Sequence, residues 1–198
     1  WRGSGRSLAP VAREWLAKYQ CDATDALRAG LRWYEPRQQL LFPLYDQENQ
    51  LRCIQARNFA SEGQARSKYH NYGNKEEAFP LYQSKEASNL CSVVITEDIL
   101  SALKVSKQIS AIPALGTSLS MNKALALQKR GFIKAFVWLD KDKWREGIEI
   151  CDKFKWLGMS TKAIYTEKDP KEYSNEEIRK YLCLSEETPA MTPTTHRE

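Results

Sequence analysis

The chain has 198 residues, 42% hydrophobic and 28% charged, with a net charge of +5. That is enough apolar material for a core, it excludes wholesale disorder, and no apolar run approaches the roughly 20 residues that a membrane-spanning helix needs. The length suits one domain of ordinary size or a compact pair, and a start at Trp1 without a basic-then-apolar leader reads as a piece cut from a longer protein.

In chain order, residues 1–6 are rich in Gly, Ser and Arg and read as a linker remnant. Ser7, as a possible N-cap, and Pro10 open a helix with Val11, Trp15 and Leu16 at helical spacing, and Trp15 is expected in its core stripe. A short helix over 22–28 ends at Gly30. Strand-like runs follow at 31–34, 39–45 and 50–59, with a polar turn at 46–49, a polar loop at 61–67 and a further strand at 68–72. The first ninety residues thus form a small α+β unit on an antiparallel meander.

The rhythm changes near residue 90. Strands at 92–96, 111–115, 134–139 and 162–166 alternate with helices at 99–107, 120–130, 144–157 and 175–182. Such alternation predicts an α/β unit: a parallel sheet flanked by helices with right-handed crossovers. Trp138 and Trp156 are expected in its core. After residue 185 the Thr/Pro-rich sequence reads as a flexible tail or linker. The expected division is 1–90, 91–184 and 185–198.

Charge is uneven. Residues 91–166 hold 12 basic and 7 acidic residues, and 167–198 hold 5 and 8, so a basic middle surrounds isolated acids. That pattern fits a polyanion-binding surface around a metal site, and equally a solvated lysine-rich face. Cys21, Cys53, Cys91, Cys151 and Cys183 are widely spaced with no Cys-x-x-Cys, which argues against zinc in this fragment and for reduced thiols in a cytoplasmic protein.

In open parallel sheets, ligands bind beyond the carboxyl ends of the strands, and here those ends carry acids. Glu97 and Asp98 follow the first strand, Asp140 and Asp142 the third, and Asp169 the fourth, with a glycine turn at Leu115-Gly116-Thr117-Ser118 between them. Each piece alone is ordinary: Glu-Asp after a strand is commonly a helix start, and Asp-x-Asp a solvated turn. Acids gathered on one rim repel unless a cation sits among them, and Mg²⁺ or Mn²⁺ suits oxygen ligands.

The stretch from Val93 to Leu182 resembles a Toprim domain, the metal-binding module of bacterial-type primases, topoisomerases and certain nucleases. Glu97 matches its glutamate, Asp140 and Asp142 its Asp-x-Asp, and Lys168-Asp169-Pro170-Lys171-Glu172 the later acidic element of the primase versions. Ala114-Leu-Gly-Thr-Ser118 resembles the Ser-Leu-Gly-Thr-Ser of bacterial primases, and Lys68-Tyr69-His70-Asn71 their Lys-Tyr-x-Asn. Over residues 31–182 the chain is similar to the RNA polymerase domain of a DNA primase, of the kind fused to a helicase in bacteriophages.

The resemblance implies a Toprim-type parallel sheet flanked by helices, preceded by a small α+β subdomain with an antiparallel meander. It implies a nucleotidyltransferase making RNA primers from nucleoside triphosphates on single-stranded DNA, with two or more Mg²⁺ or Mn²⁺ ions. Glu97, Asp140 and Asp142 would be the catalytic metal ligands, with Asp98 and Asp169 as further ligands or supports. Arg57, Lys68, Tyr69, Asn71, Lys141 and Lys143 would bind nucleotide or template. A zinc-binding domain and a replicative helicase, fused or separate, would be partners, with no membrane, in the cytoplasm (the host's, if viral). The chain departs from the pattern at Asp98, where Gly is usual, and at Ser101, where a further acid is common. Either Asp98 replaces the missing carboxylate or the position binds metal through water. The alternatives are another Toprim phosphoryl-transfer enzyme, of nuclease or topoisomerase type, and a non-catalytic nucleic-acid-binding Toprim module.

Overall fold

The computed structural model describes residues 7–60, 67–83 and 91–184, so the linker reading of 1–6, the tail reading of 185–198 and most of the loop reading of 61–67 lie outside the described residues. Helix α1 (Pro10–Lys18) opens with proline, whose fixed φ suits a first turn. Its N-cap is Ala9, without a side-chain cap, rather than Ser7. Helix α2 (Ala23–Arg28) starts from a reciprocal cap in which Asp22 Oδ1 accepts from Asp25 N at 2.9 Å and Asp25 Oδ2 from Asp22 N at 3.0 Å.

The meander is β1 (Arg32–Tyr34), β2 (Gln39–Tyr45), β3 (Leu51–Asn58) and β4 (Tyr69–Gly73), paired antiparallel in that order. Asp46 builds the turn between β2 and β3, its Oδ1 accepting from Glu48 N at 3.0 Å and Gln50 N at 2.8 Å. Gly73 closes β4 at φ +97°, where a Cβ would run into the Arg52 carbonyl. Across β3 and β4 the register sets Arg57 opposite Tyr69 and Gln55 opposite Asn71, so these four share one face. Ile54 and Ala56 pack with Leu41 on the other face.

The second sheet, β5 (Ser92–Thr96), β6 (Ala111–Pro113), β7 (Lys134–Trp138) and β8 (Ser160–Ala163), is parallel with strand order β6-β5-β7-β8. Helices cover both faces: α3 (Ile99–Val105) and α6 (Asn175–Leu182) on one, α4 (Met121–Lys129) and α5 (Trp144–Trp156) on the other. The central strands are therefore apolar on both sides, Val94, Phe136 and Trp138 facing Val105, Ile178 and Leu182, while Val93, Ile95, Ala135 and Val137 face Leu127, Ile150 and Phe154. Each fully buried side chain of this size contributes roughly 1.5–3 kcal/mol of apolar transfer.

Helix α3 also joins the two sheets. Its Ile99, Leu100 and Leu103 enter a cluster with Leu16 of α1 and Trp33, Leu40, Phe42 and Leu44 of the meander. Helix α3 thus packs on the parallel sheet through Ala102 and Val105 and on the meander through Ile99, Leu100 and Leu103, and a cleft lies between the two units.

Two expectations are corrected. The last strand is Ser160–Ala163 rather than 162–166, because Gly158, at φ +73°, ends the turn after α5 and pairing with β7 starts at Ser160. Trp156 is 85% exposed, not core, since Gly147, Ile150, Cys151 and Phe154 already fill the buried face of α5. Among the described residues no helix is long and apolar enough to cross a membrane, and Cys21, Cys53, Cys91, Cys151 and Cys183 are all free thiols.

Candidate active site

The carboxyl ends of β5, β7 and β8 lie side by side, and the chain beyond each carries acid. Glu97 and Asp98 follow β5, Asp140 follows β7, and Asp169 comes at the end of the loop after β8. That loop is fixed by Trp138, the last residue of β7, whose indole donates to Thr166 Oγ1 at 2.8 Å. Thr166 in turn donates to the Lys168 carbonyl at 2.8 Å, and Lys168 N donates to the Tyr173 hydroxyl at 3.2 Å. A buried aromatic thus positions the Asp169–Glu172 segment.

Glu97, Asp98, Asp140, Asp169 and Lys171 form one wall of a cleft of about 370 Å³. The other wall is Trp15 of α1 and Tyr19 just after it, Gln55 and Arg57 from β3, Tyr69 at the start of β4 and Lys68 just before it. The Arg57 guanidinium lies 4.1 Å from the centre of the Trp15 ring and donates to the Tyr69 hydroxyl at 3.2 Å. Arg57 makes no ion pair among the described residues, and its buried Nε has no hydrogen-bond partner. Leu115 and Gly116 reach the cleft between the walls. Gly116 needs its φ of +142°, and Lys75 ties the turn down by donating to the Leu115 carbonyl at 2.8 Å.

The acids are not equivalent. Asp98 caps α3, Oδ1 accepting from Ser101 N at 2.9 Å and Oδ2 from Ser101 Oγ at 3.2 Å. Both departures from the Toprim pattern are therefore one unit, a buried serine holding a capping aspartate. Glu97 Oε2 and Asp140 Oδ1 are buried with no hydrogen-bond partner. Burial, then the neighbouring Asp98, raises the Glu97 pKa above the usual carboxylate range. Burial raises that of Asp140 to about 7, opposed by Lys171 and reinforced by Asp98, Asp169 and Glu97.

Lys171 stands among these acids, its Nζ 2.7 Å from Asp98 Oδ2, 3.0 Å from Asp169 Oδ2 and 3.6 Å from Asp140 Oδ2. Burial works against its charge, but the carboxylates prevail and hold its pKa above the ordinary lysine value. The donor set is oxygen throughout, and two buried carboxylate oxygens without partners are what a hard divalent cation would take. Glu97 and Asp140 fit that role. With Lys171 in place, no three His, Cys, Asp or Glu side chains among the described residues converge closely enough to hold a metal.

The remaining expected residues divide. Arg57, Lys68 and Tyr69 line the cleft, and Asn71 touches its wall by accepting from Gln55 Nε2 at 3.2 Å. Asp142 is exposed and paired with Lys143 Nζ at 2.7 Å, an interaction that lowers its pKa. Lys141 and Lys143 lie beside Asp140 but outside the cleft, and Thr117 and Ser118 do not line it either. Lys171 was missed, because a lysine between Pro170 and Glu172 reads as solvated; Trp15, expected in the core, has one edge there and its face under Arg57. A larger cavity of about 700 Å³ lies between α1 and α2, but Leu8, Leu16, Ala26, Leu27 and Leu31 make it apolar and place it away from the acids.

No family model matches the chain, and no curated protein does. Solved structures do match. A primase from Aquifex aeolicus comprising zinc-binding and RNA polymerase domains superposes with a TM-score of 0.73 at 18% identity, over 88% of this chain and 56% of that one. The primase fragment of the bacteriophage T7 primase-helicase protein gives 0.59 at 15% identity, over 92% and 77%. A DnaG primase catalytic domain bound to single-stranded DNA gives 0.64 at 16% identity, over 88% and 72%. The chain thus has the fold of a primase RNA polymerase domain, as its resemblance implied. It spans little more than half of the Aquifex structure, and at these identities the likeness is one of fold.

Proposed function

We propose that this chain is the RNA polymerase domain of a DNA primase, joining nucleoside triphosphates into short RNA primers on single-stranded DNA. The observation that carries this reading is a cleft with two unlike walls: acids at three adjacent strand ends face Arg57, Lys68, Tyr69 and Trp15 on the meander and α1. In this reading residues 91–184 are the Toprim unit, 1–90 the basic subdomain and 185–198 a linker. A zinc-binding domain and a replicative helicase, each fused or separate, complete the cytoplasmic enzyme.

Nucleotide joining sets the 3′-hydroxyl of one nucleotide against the α-phosphate of the next, and pyrophosphate leaves. Glu97, Asp140 and Asp142 would hold Mg²⁺ or Mn²⁺, with Asp98 and Asp169 in support; such ions, when bound, activate the hydroxyl and neutralise the leaving group. Arg57 offers an unpaired buried Nε and a guanidinium already stacked on Trp15, so it meets a phosphate with little loss of freedom. Lys68 adds charge at the cleft mouth, and Lys141 and Lys143 add it beyond Asp140. Tyr69 offers its ring to a base or sugar, Trp15 backs Arg57, and Asn71 steadies Gln55 beside them. Template binding led by so few cations is weak and falls as salt rises.

The test is primer synthesis on single-stranded DNA with ribonucleotides, Mn²⁺ or Mg²⁺ and a dinucleotide primer, which bypasses unprimed initiation. Labelled RNA that extends with time supports the reading. Template cleavage supports a nuclease instead. One observation favours the second reading, a non-catalytic nucleic-acid-binding module: Lys171 already neutralises the acids. Binding of single-stranded DNA without RNA product or cleavage would establish that module and overturn the polymerase.

A further inference from the structure

Lys171 points inward rather than into solvent, its side chain 14% exposed. Pro170 is buried and opens a short 3₁₀ turn, Pro170–Glu172, that packs against α3 and aims the Lys171 stem back over the strand ends. The ammonium then has three carboxylates within 3.6 Å, one from each of the loops after β5, β7 and β8. A surface ion pair would satisfy Lys171 with one acid. Here it meets every acid lining the cleft but Glu97, and it leaves Glu97 Oε2 and Asp140 Oδ1 unfilled beside it.

We propose that Lys171 is a tethered cation that competes with the divalent metal for Asp98, Asp140 and Asp169, so that metal enters only as the lysine gives way. The inference rests on the reading of Glu97 and Asp140 as metal ligands. An ammonium and a divalent ion among the same carboxylates repel strongly at these distances. In the metal-free protein the lysine replaces the missing charge and keeps the three loops together. Loading therefore needs a higher metal concentration than a vacant carboxylate site would. Once displaced, the ammonium is free to pair with a triphosphate entering the same cleft.

The experiment is Mn²⁺ titration of the whole chain, followed by calorimetry and by the electron paramagnetic resonance signal of free Mn²⁺, for the wild type, Lys171→Gln and Lys171→Arg. Removing a unit positive charge from beside the ligands should tighten Mn²⁺ binding roughly ten- to hundredfold. Lys171→Arg should bind like the wild type, and adding Asp140→Asn to Lys171→Gln should abolish the gain. Damage to the fold would weaken binding, so an increase separates competition from a merely structural role. Unchanged or weaker Mn²⁺ binding by folded Lys171→Gln overturns the proposal. Should that variant not fold, the wild type suffices: Mn²⁺ should speed reductive methylation of Lys171, read by mass spectrometry, and an unchanged rate at saturating Mn²⁺ overturns it. These readouts are independent of RNA synthesis, so a catalytically silent protein could still pass, and an active one could still fail.

Discussion

The two walls of the cleft are built by different means. The acidic wall collects one contribution from each of three loops, because adjacent parallel strands all end on the same side of their sheet. The basic and aromatic wall comes from two neighbouring antiparallel strands and one helix: register puts Arg57 beside Tyr69, and packing of α1 puts the Trp15 ring under Arg57. A wall made of loop ends depends on what fixes each loop; a wall made by register depends only on pairing. Loss of one acid should therefore be catastrophic for chemistry and mild for folding, whereas loss of a loop anchor should reverse that order.

The largest effect expected is Asp140→Asn, which removes a buried ligand without changing shape. Primer synthesis should fall roughly 10³-fold with the circular dichroism spectrum unchanged; retention of more than a tenth of the activity would break the assignment. Next is Trp138→Ala. It empties a fully buried site and releases Thr166, so denaturant unfolding should show a loss of about 3 kcal/mol. Arg57→Ala should weaken single-stranded DNA or nucleotide binding about 10-fold and lower the salt slope by about one, with stability little changed.

A smaller effect concerns pH. Asp140 has a pKa raised to about 7 from an unfolded value of 3.8, so the native state binds the extra proton between those values. Stability of metal-free protein should fall as pH rises from 4 to 7, by about 3 kcal/mol from this group, and then level off. Asp140→Asn should flatten that slope in melts at fixed salt. Tyr69→Phe, which removes only the hydroxyl that accepts from Arg57, should change binding no more than about threefold.

Both walls were partly legible in the sequence. Strand-helix alternation after residue 90 marked the parallel sheet, and an acid after each of three strands marked its functional rim. The meander showed through its apolar runs and the Asp46 turn. What stayed hidden depends on contacts between segments far apart in the chain. Lys171 meets Asp98 across 73 residues, and nothing in Asp-Pro-Lys-Glu says that the side chain turns inward. Ser101 looked like a missing acid until the structure put its hydroxyl on Asp98. Trp156 followed a helical apolar pattern but falls at the last turn of α5, past the residues that the sheet covers. Asp142 is near enough to Glu97 to raise its pKa, yet faces solvent with Lys143, an outcome of the local turn that spacing alone does not fix.

The most direct measurement of the central claim is a crystal structure soaked in Mn²⁺ with anomalous scattering data. The account predicts a peak at the rim beside Glu97 and Asp140, with the Lys171 ammonium withdrawn. A well-ordered rim with no peak at saturating Mn²⁺, or a peak held only by surface residues elsewhere, would contradict it.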